Sequence, residues 1–191
     1  MKDIVDTYIA QLQMVVAQLS QNEILEGFQF IEETYNREGT VYIIGNGGSA
    51  STASHMACDF GKGASCQGRR RLRVMSLTDN VAHMSAISND ISYDAVFVEQ
   101  LRNLLGKGDL LIGISASGNS PNLLKAFDYA GELNLPTLAL VGFDGGKMGQ
   151  IASCSIHVNT KSYGIAEDVH LIVNHIWTEM LKELVARNSE G

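Results

Sequence analysis

The sequence predicts an α/β protein of one domain: a doubly wound parallel sheet of five strands flanked by helices, with two helices leading and a long helix closing the chain. Three observations predict it. Five short apolar runs recur along the 191 residues, helical patterns or turn residues separate them, and glycine- or serine-rich turns follow the first and third. Parallel strands need crossover connections, and right-handed crossovers put helices on both faces of the sheet.

Residues 3–19 set Ile4, Tyr8, Leu12, Val15, Val16 and Leu19 at helical spacing. Ser20 followed by Glu23 has the form of a capping box opening a second helix that ends near Asn36. The first apolar run is Val41-Tyr42-Ile43-Ile44, with a glycine turn after it and a helix from Ser49. The other strands are expected at Val74–Leu77, Leu110–Ile114, Thr137–Val141 and Ser155–Val158. A last helix is expected from about Ile165 to Ala186, carrying Val169, Ile172, Val173, Ile176, Trp177, Met180, Leu181 and Leu184. That stripe is broader than one sheet face requires, so this helix and residues 1–37 are expected to pack against another subunit, with 38–191 as the core; the alternative is a thick monomeric core.

Hydrophobic residues make up 45% of the chain, which suits one compact domain. No apolar run approaches the roughly 18 residues of a membrane span, and the first seven residues lack a signal-peptide pattern. A cytoplasmic protein without membrane contact is therefore expected. Cys58, Cys66 and Cys154 are an odd count without CxxC spacing, as for reduced thiols. A net charge of −7 argues against a nucleic-acid partner bound through a broad basic surface. Any anionic ligand must be held locally. Arg69, Arg70, Arg71 and Arg73, preceded by Lys62, form the one basic cluster, and read as a solvated loop and strand start ahead of a phosphate or partner contact.

Two turns carry the chemistry. Gly45-Asn46-Gly47-Gly48-Ser49-Ala50 matches the dinucleotide pattern GxGxxG/A, but about 20 positions on, where that site needs an acid, the chain has Cys66 to Arg71. The second turn, Ile114-Ser115-Ala116-Ser117-Gly118-Asn119-Ser120-Pro121, joins a strand to a helix for which Ser120 is a natural N-cap and Pro121 a natural first residue. Hydroxyls of Ser115, Ser117 and Ser120, with free amides at a helix start, suit a phosphate monoester.

His55 and Asp59 lie four residues apart on the helix after the first turn, and His175 lies eight after Glu167 and seven after Asp168 on the last helix. Such spacing puts each set on one helix side, as metal ligands or as a solvated, hydrogen-bonded pair.

Together Gly45–Ser49, His55 and its neighbours, Ser88-Asn89-Asp90, Ile114–Ser120 and Gly145-Gly146-Lys147-Met148 resemble the phosphoheptose isomerase branch of the SIS (sugar isomerase) family. The resemblance implies a single SIS domain that converts sedoheptulose 7-phosphate to D-glycero-D-manno-heptose 7-phosphate, or a close stereoisomer, through an enediolate. It implies one divalent metal per subunit, zinc before iron, manganese or cobalt, held by His55, Asp59, Glu167 and His175. Asp59 stands where the family has Glu, and Glu167 where it has Gln. Asp59 would act as base and His175 as the group that shuttles the proton. Sugar hydroxyls would meet Asn46, Gly47, Gly48, Ser49, Asn89 and Asp90, with Asp59 and Glu167 also at the substrate, and the phosphate would meet Ser115, Ala116, Ser117 and Ser120. His170 would sit beside the metal ligands, while His83 and His157 are structural and Cys58 is an alternative ligand. The family further implies a homotetramer with sites between subunits. The competing reading is a non-catalytic SIS module, a sugar phosphate sensor or an adaptor for a protein such as a replication initiator. Retention of a carboxylate at Asp59 and of both histidines favours catalysis.

Overall fold

In the computed structural model, which describes residues 1–187, the chain alternates helices and strands around one parallel sheet; the last four residues of the expected domain lie outside the described residues. Helices α1 (Lys2–Ala17) and α2 (Gln21–Asn36) lead into β1 (Thr40–Gly45), α3 (Gly48–Cys58) and β2 (Arg73–Ser76). Next come α4 (Val81–Asp90), α5 (Val98–Leu104), β3 (Leu110–Ser115), α6 (Pro121–Glu132), β4 (Thr137–Val141), α7 (Gly146–Ile151), β5 (Cys154–His157) and α8 (Tyr163–Arg187).

The strand order is β2-β1-β3-β4-β5 and every pairing is parallel. From β1 the chain builds first to one side, with β2, and then to the other, with β3. A crevice therefore opens beyond the carboxyl ends of β1 and β3. Their register pairs Gly45 with Ile114, so the glycine turn and the serine turn emerge side by side.

Alternate strand residues serve opposite layers. Val41, Ile43, Leu110 and Ile112 pack with α2, α3 and α8, whereas Tyr42, Ile44 and Leu111 pack with α5 and α6. Trp177 of α8 is fully buried, donates from Nε1 to the Ile24 carbonyl at 2.9 Å, and covers Gly27, where a Cβ would fall 2.7 Å from the indole. Removing that indole would leave a cavity costing about 3–5 kcal/mol.

The two edge strands each begin and end one residue earlier than expected, at Arg73–Ser76 and Cys154–His157. An edge strand pairs on one side only, so the ladder to its single neighbour sets its limits. The final helix starts two residues early, at Tyr163, and α3 starts at Gly48. Beyond Cys58, α3 passes into a π-helical turn, Asp59–Gly63, closed by Ala64 N–H donating to the Asp59 carbonyl at 2.8 Å. Ser20 caps α2 as expected, accepting from Glu23 N–H at 3.2 Å.

Helix α1 buries no residue completely. Leu12, Val15 and Val16 rest on Ile165 and Val169, while Ile4, Val5, Ile9 and Met14 face outward. Among the described residues, no helix is long and apolar enough to cross a membrane.

Candidate active site

The serine turn shapes itself with its own oxygens. Ser115 Oγ accepts from Gly118 N–H at 3.1 Å and Ser117 Oγ from Asn119 N–H at 3.3 Å. With those oxygens accepting, the two hydroxyl hydrogens remain to donate to an anion. Ser120 sits at the N-cap position of α6, yet its side chain makes no capping bond. The expected cap is thus absent, and that hydroxyl is available to a ligand. Gly118 has φ +63° and a Cβ there would strike the Gly145 carbonyl at 2.2 Å, so only glycine lets the Gly145–Met148 segment fold over the turn. Lys147 N–H donates to Asn119 Oδ1 and Met148 N–H to the Gly118 carbonyl, which hold it there.

These residues line a cleft of about 160 Å³ bounded by Asn46, Ser49, Ile114, Ser115, Ala116, Ser117, Ser120, Tyr163 and Glu167. Asn46 is held by a reciprocal amide pair with buried Asn122, both bonds 2.9 Å, and by the Tyr93 hydroxyl at 2.9 Å. Glu167 reaches in from α8 and lies over Gly48, where a Cβ would sit 2.3 Å from Oε1.

A second group of side chains faces the same two helices further along. His55 Nε2 and His175 Nε2 are 3.3 Å apart. Asp59 Oδ2 lies 3.1 Å from the first and 3.7 Å from the second. All three ligand atoms fall within 4.8 Å of one another. Two imidazole nitrogens and a carboxylate oxygen converging from two helices are a donor set that suits zinc, and also iron, manganese or cobalt. Asn174 Nδ2 donates to Asp59 Oδ2 at 2.8 Å.

Several expected residues stand elsewhere. Glu167 does not join the cluster of His55, Asp59 and His175, because its carboxylate occupies the space that Gly48 leaves open. Asp168 accepts from the Tyr8 hydroxyl of α1 at 2.7 Å, a bond that raises the tyrosine pKa. Asn89 and Asp90, at the end of α4, are exposed and bonded to each other at 2.7 Å, and do not line the cleft. Gly47 precedes α3 at its N-cap position, at φ +55° with open space around it. His170 is not beside the cluster: it is wholly buried near the Val141 backbone, neither ring nitrogen makes a well-formed hydrogen bond, and burial lowers its pKa to about 4. Cys58 is exposed and outside the cluster. His83 lies in the first turn of α4 and His157 in β5, its Nε2 3.0 Å from the Phe143 carbonyl. Arg70 pairs with Glu38 at 3.2 Å and stacks over Tyr35, away from the cleft.

Sequence reasoning missed Asn122, Tyr93, Tyr163 and Asn174. Only Asn174 left a signal, a polar residue within the inward stripe of α8.

Comparison with known proteins follows the same lines. The SIS domain family pattern matches residues 7–142. A phosphoheptose isomerase of Helicobacter pylori is 36% identical over 169 residues, 88% of each chain, and one of Chlorobaculum parvum is 36% identical over 181 residues, 93% of this chain and 86% of its own. The solved phosphoheptose isomerase GmhA of Neisseria gonorrhoeae superposes with a TM-score of 0.88 at 26% identity, over 95% of this chain and 98% of that one. On its sequence, its sheet and its two converging helices, the chain belongs to the SIS domain family, in the phosphoheptose isomerase branch.

Proposed function

We propose that the protein interconverts sedoheptulose 7-phosphate and an aldose heptose 7-phosphate through an enediolate, assisted by one divalent cation per subunit. One spacing carries the reading. Helix α3 runs from Ser49 at the cleft to His55, and α8 from Glu167 at the cleft to His175. At 1.5 Å per residue those steps are about 9 and 12 Å. An open seven-carbon sugar with a terminal phosphate reaches about 10 Å, with carbon–carbon bonds near 1.5 Å. A phosphate in the serine cleft therefore brings the other end of the chain, carbons 1 and 2, to Asp59 and the two histidines.

In the cleft, the hydroxyls of Ser115, Ser117 and Ser120 donate to the phosphate, and Asn46, Ser49 and Glu167 meet sugar hydroxyls above it. Asp59 takes the proton from carbon 1 of the open ketose and returns it to carbon 2. Its Oδ2 is occupied by His55, His175 and Asn174, which leaves Oδ1 for this task. His175 moves the hydroxyl proton between the oxygens on those carbons, leaving an aldehyde at carbon 1 and a hydroxyl at carbon 2. A cation, zinc in the first instance, would be held by His55, Asp59 and His175, and would supply Lewis acidity to the carbonyl. The outward apolar residues of α1 support a homo-oligomer, a tetramer on the family's pattern.

The test is proton NMR of sedoheptulose 7-phosphate with metal-replete protein in D₂O. New aldose anomeric signals with deuterium on carbon are expected. An unchanged spectrum, with the ketose phosphate separately found to bind, would replace this reading with that of a sugar phosphate sensor.

A further inference from the structure

Asn174 is fully buried on α8, one residue before His175. Its Nδ2 donates to Asp59 Oδ2 at 2.8 Å, while its Oδ1 is enclosed without any partner. An ionised carboxylate only accepts, so the amide nitrogen must face Asp59 and the carbonyl must face away. A buried carbonyl oxygen left unpaired costs about 1–3 kcal/mol. Leucine, of similar size, has no polar atom to leave unpaired and would not carry that cost. Stability of the fold therefore does not account for an asparagine here.

Its partner does. Asp59 stands where α3 passes into the π-helical turn, and a Cβ on Gly63 at the end of that turn would lie 3.7 Å from Asp59 Oδ1 and 3.8 Å from Thr178 Cγ2. The carboxylate thus lies in the angle between the turn and α8. Rotation of a carboxylate about its last bond is soft, and exposed imidazoles alone hold it weakly. The Asn174 backbone is itself tied into α8, its carbonyl accepting from the Thr178 hydroxyl at 2.9 Å.

We infer that Asn174 is a positioning residue: its amide fixes the plane of the Asp59 carboxylate, turning Oδ2 to the two imidazoles and leaving Oδ1 for the substrate proton. The kinetic part of this inference rests on the proposed isomerase reading. The structural part does not.

The experiment compares full-length wild type with Asn174→Leu and Asn174→Ala by three readouts: Co²⁺ affinity from its visible absorption, kcat and KM for sedoheptulose 7-phosphate, and melting temperature. Outer hydrogen-bond partners of ligands are worth about 10–100-fold in affinity or rate. The expected result for Asn174→Leu is Co²⁺ binding and kcat each about tenfold lower, KM within about twofold, and a melting temperature equal to or above that of wild type. Wild-type Co²⁺ affinity and kcat in both variants would overturn the inference. So would losses in both variants that only follow a lowered melting temperature, since Asn174 would then be a structural residue. A wild type that binds Co²⁺ but does not isomerise overturns the functional reading instead, and the Co²⁺ affinities of the variants then decide the inference alone.

Discussion

The serine cleft and the histidine–aspartate cluster sit on the same two helices, yet they are built in opposite ways. The serine wall of the cleft is local: it comes from the turn directly after β3, whose amides bond hydroxyls two or three residues away, while Tyr163 and Glu167 of α8 close the other side. The cluster is remote, since His55 and Asp59 meet His175 across more than a hundred residues, and a buried amide from α8 orients the carboxylate. A local site inherits its geometry from turn chemistry and tolerates movement elsewhere. A remote one depends on the packing of α3 against α8.

The contrast can be broken most sharply at Asp59. Asp59→Asn keeps the size of the side chain and removes the proposed base, so turnover should fall by about 10²–10⁴-fold while the melting temperature persists. Full activity in this variant would take Asp59 out of the mechanism and leave the cleft as the only functional region.

The packing of α8 on the sheet can be probed next through His170, the buried residue between Glu167 and His175 in the sequence of that helix. Its folded pKa is lowered from 6.5 to about 4 by burial. The unfolded chain takes up a proton below pH 6.5 and the folded one does not until about pH 4, so stability is complete above pH 6.5 and declines as the pH falls through that window. The total loss is about 3 kcal/mol. His170→Leu should remove most of it, measured as the difference in urea unfolding between pH 7 and pH 4.5. An equal loss in wild type and variant would mean the ring is not buried as the neutral form.

A smaller effect is expected in the cleft. Ser120→Ala should raise KM about tenfold, the worth of the one charge-assisted hydrogen bond its hydroxyl can donate, with kcat nearly unchanged. A capping serine would cost about 1 kcal/mol on such a change. Because Ser120 makes no capping bond, the melting temperature should stay put, and a clear fall would show the hydroxyl serving the helix rather than a ligand.

The smallest change joins the two regions. Gly48→Ala places a methyl group against the Glu167 carboxylate, the far end of a flexible side chain that can move aside. Activity should drop several-fold and Co²⁺ affinity should not change, because Glu167 lies with the cleft and outside the cluster. Weakened Co²⁺ binding would instead make Glu167 a metal ligand.

The sequence by itself determined the sheet, since five apolar runs separated by crossovers admit few other arrangements, and all five positions were correct to within a residue, although only the central three strands are buried on both faces. It also determined the serine wall of the cleft, because Ser115, Ser117 and Ser120 lie in one turn whose glycine and proline fix its course. Spacing along a helix paired His55 with Asp59, but it could not say which way a carboxylate two turns from His175 would face. Glu167, expected with the metal ligands, went to the cleft because Gly48 opens room for it there. His170 went into the core, where its helix face meets β4 rather than α3. The link from Asn174 to Asp59, the hold of Asn122 and Tyr93 on Asn46, and the separation of Asn89 and Asp90 from the cleft were decided only in the tertiary structure. Periodicity assigns a residue to a face of its own element, whereas these contacts depend on the rotation and depth at which one element packs against another, and those are set by all the side chains between them.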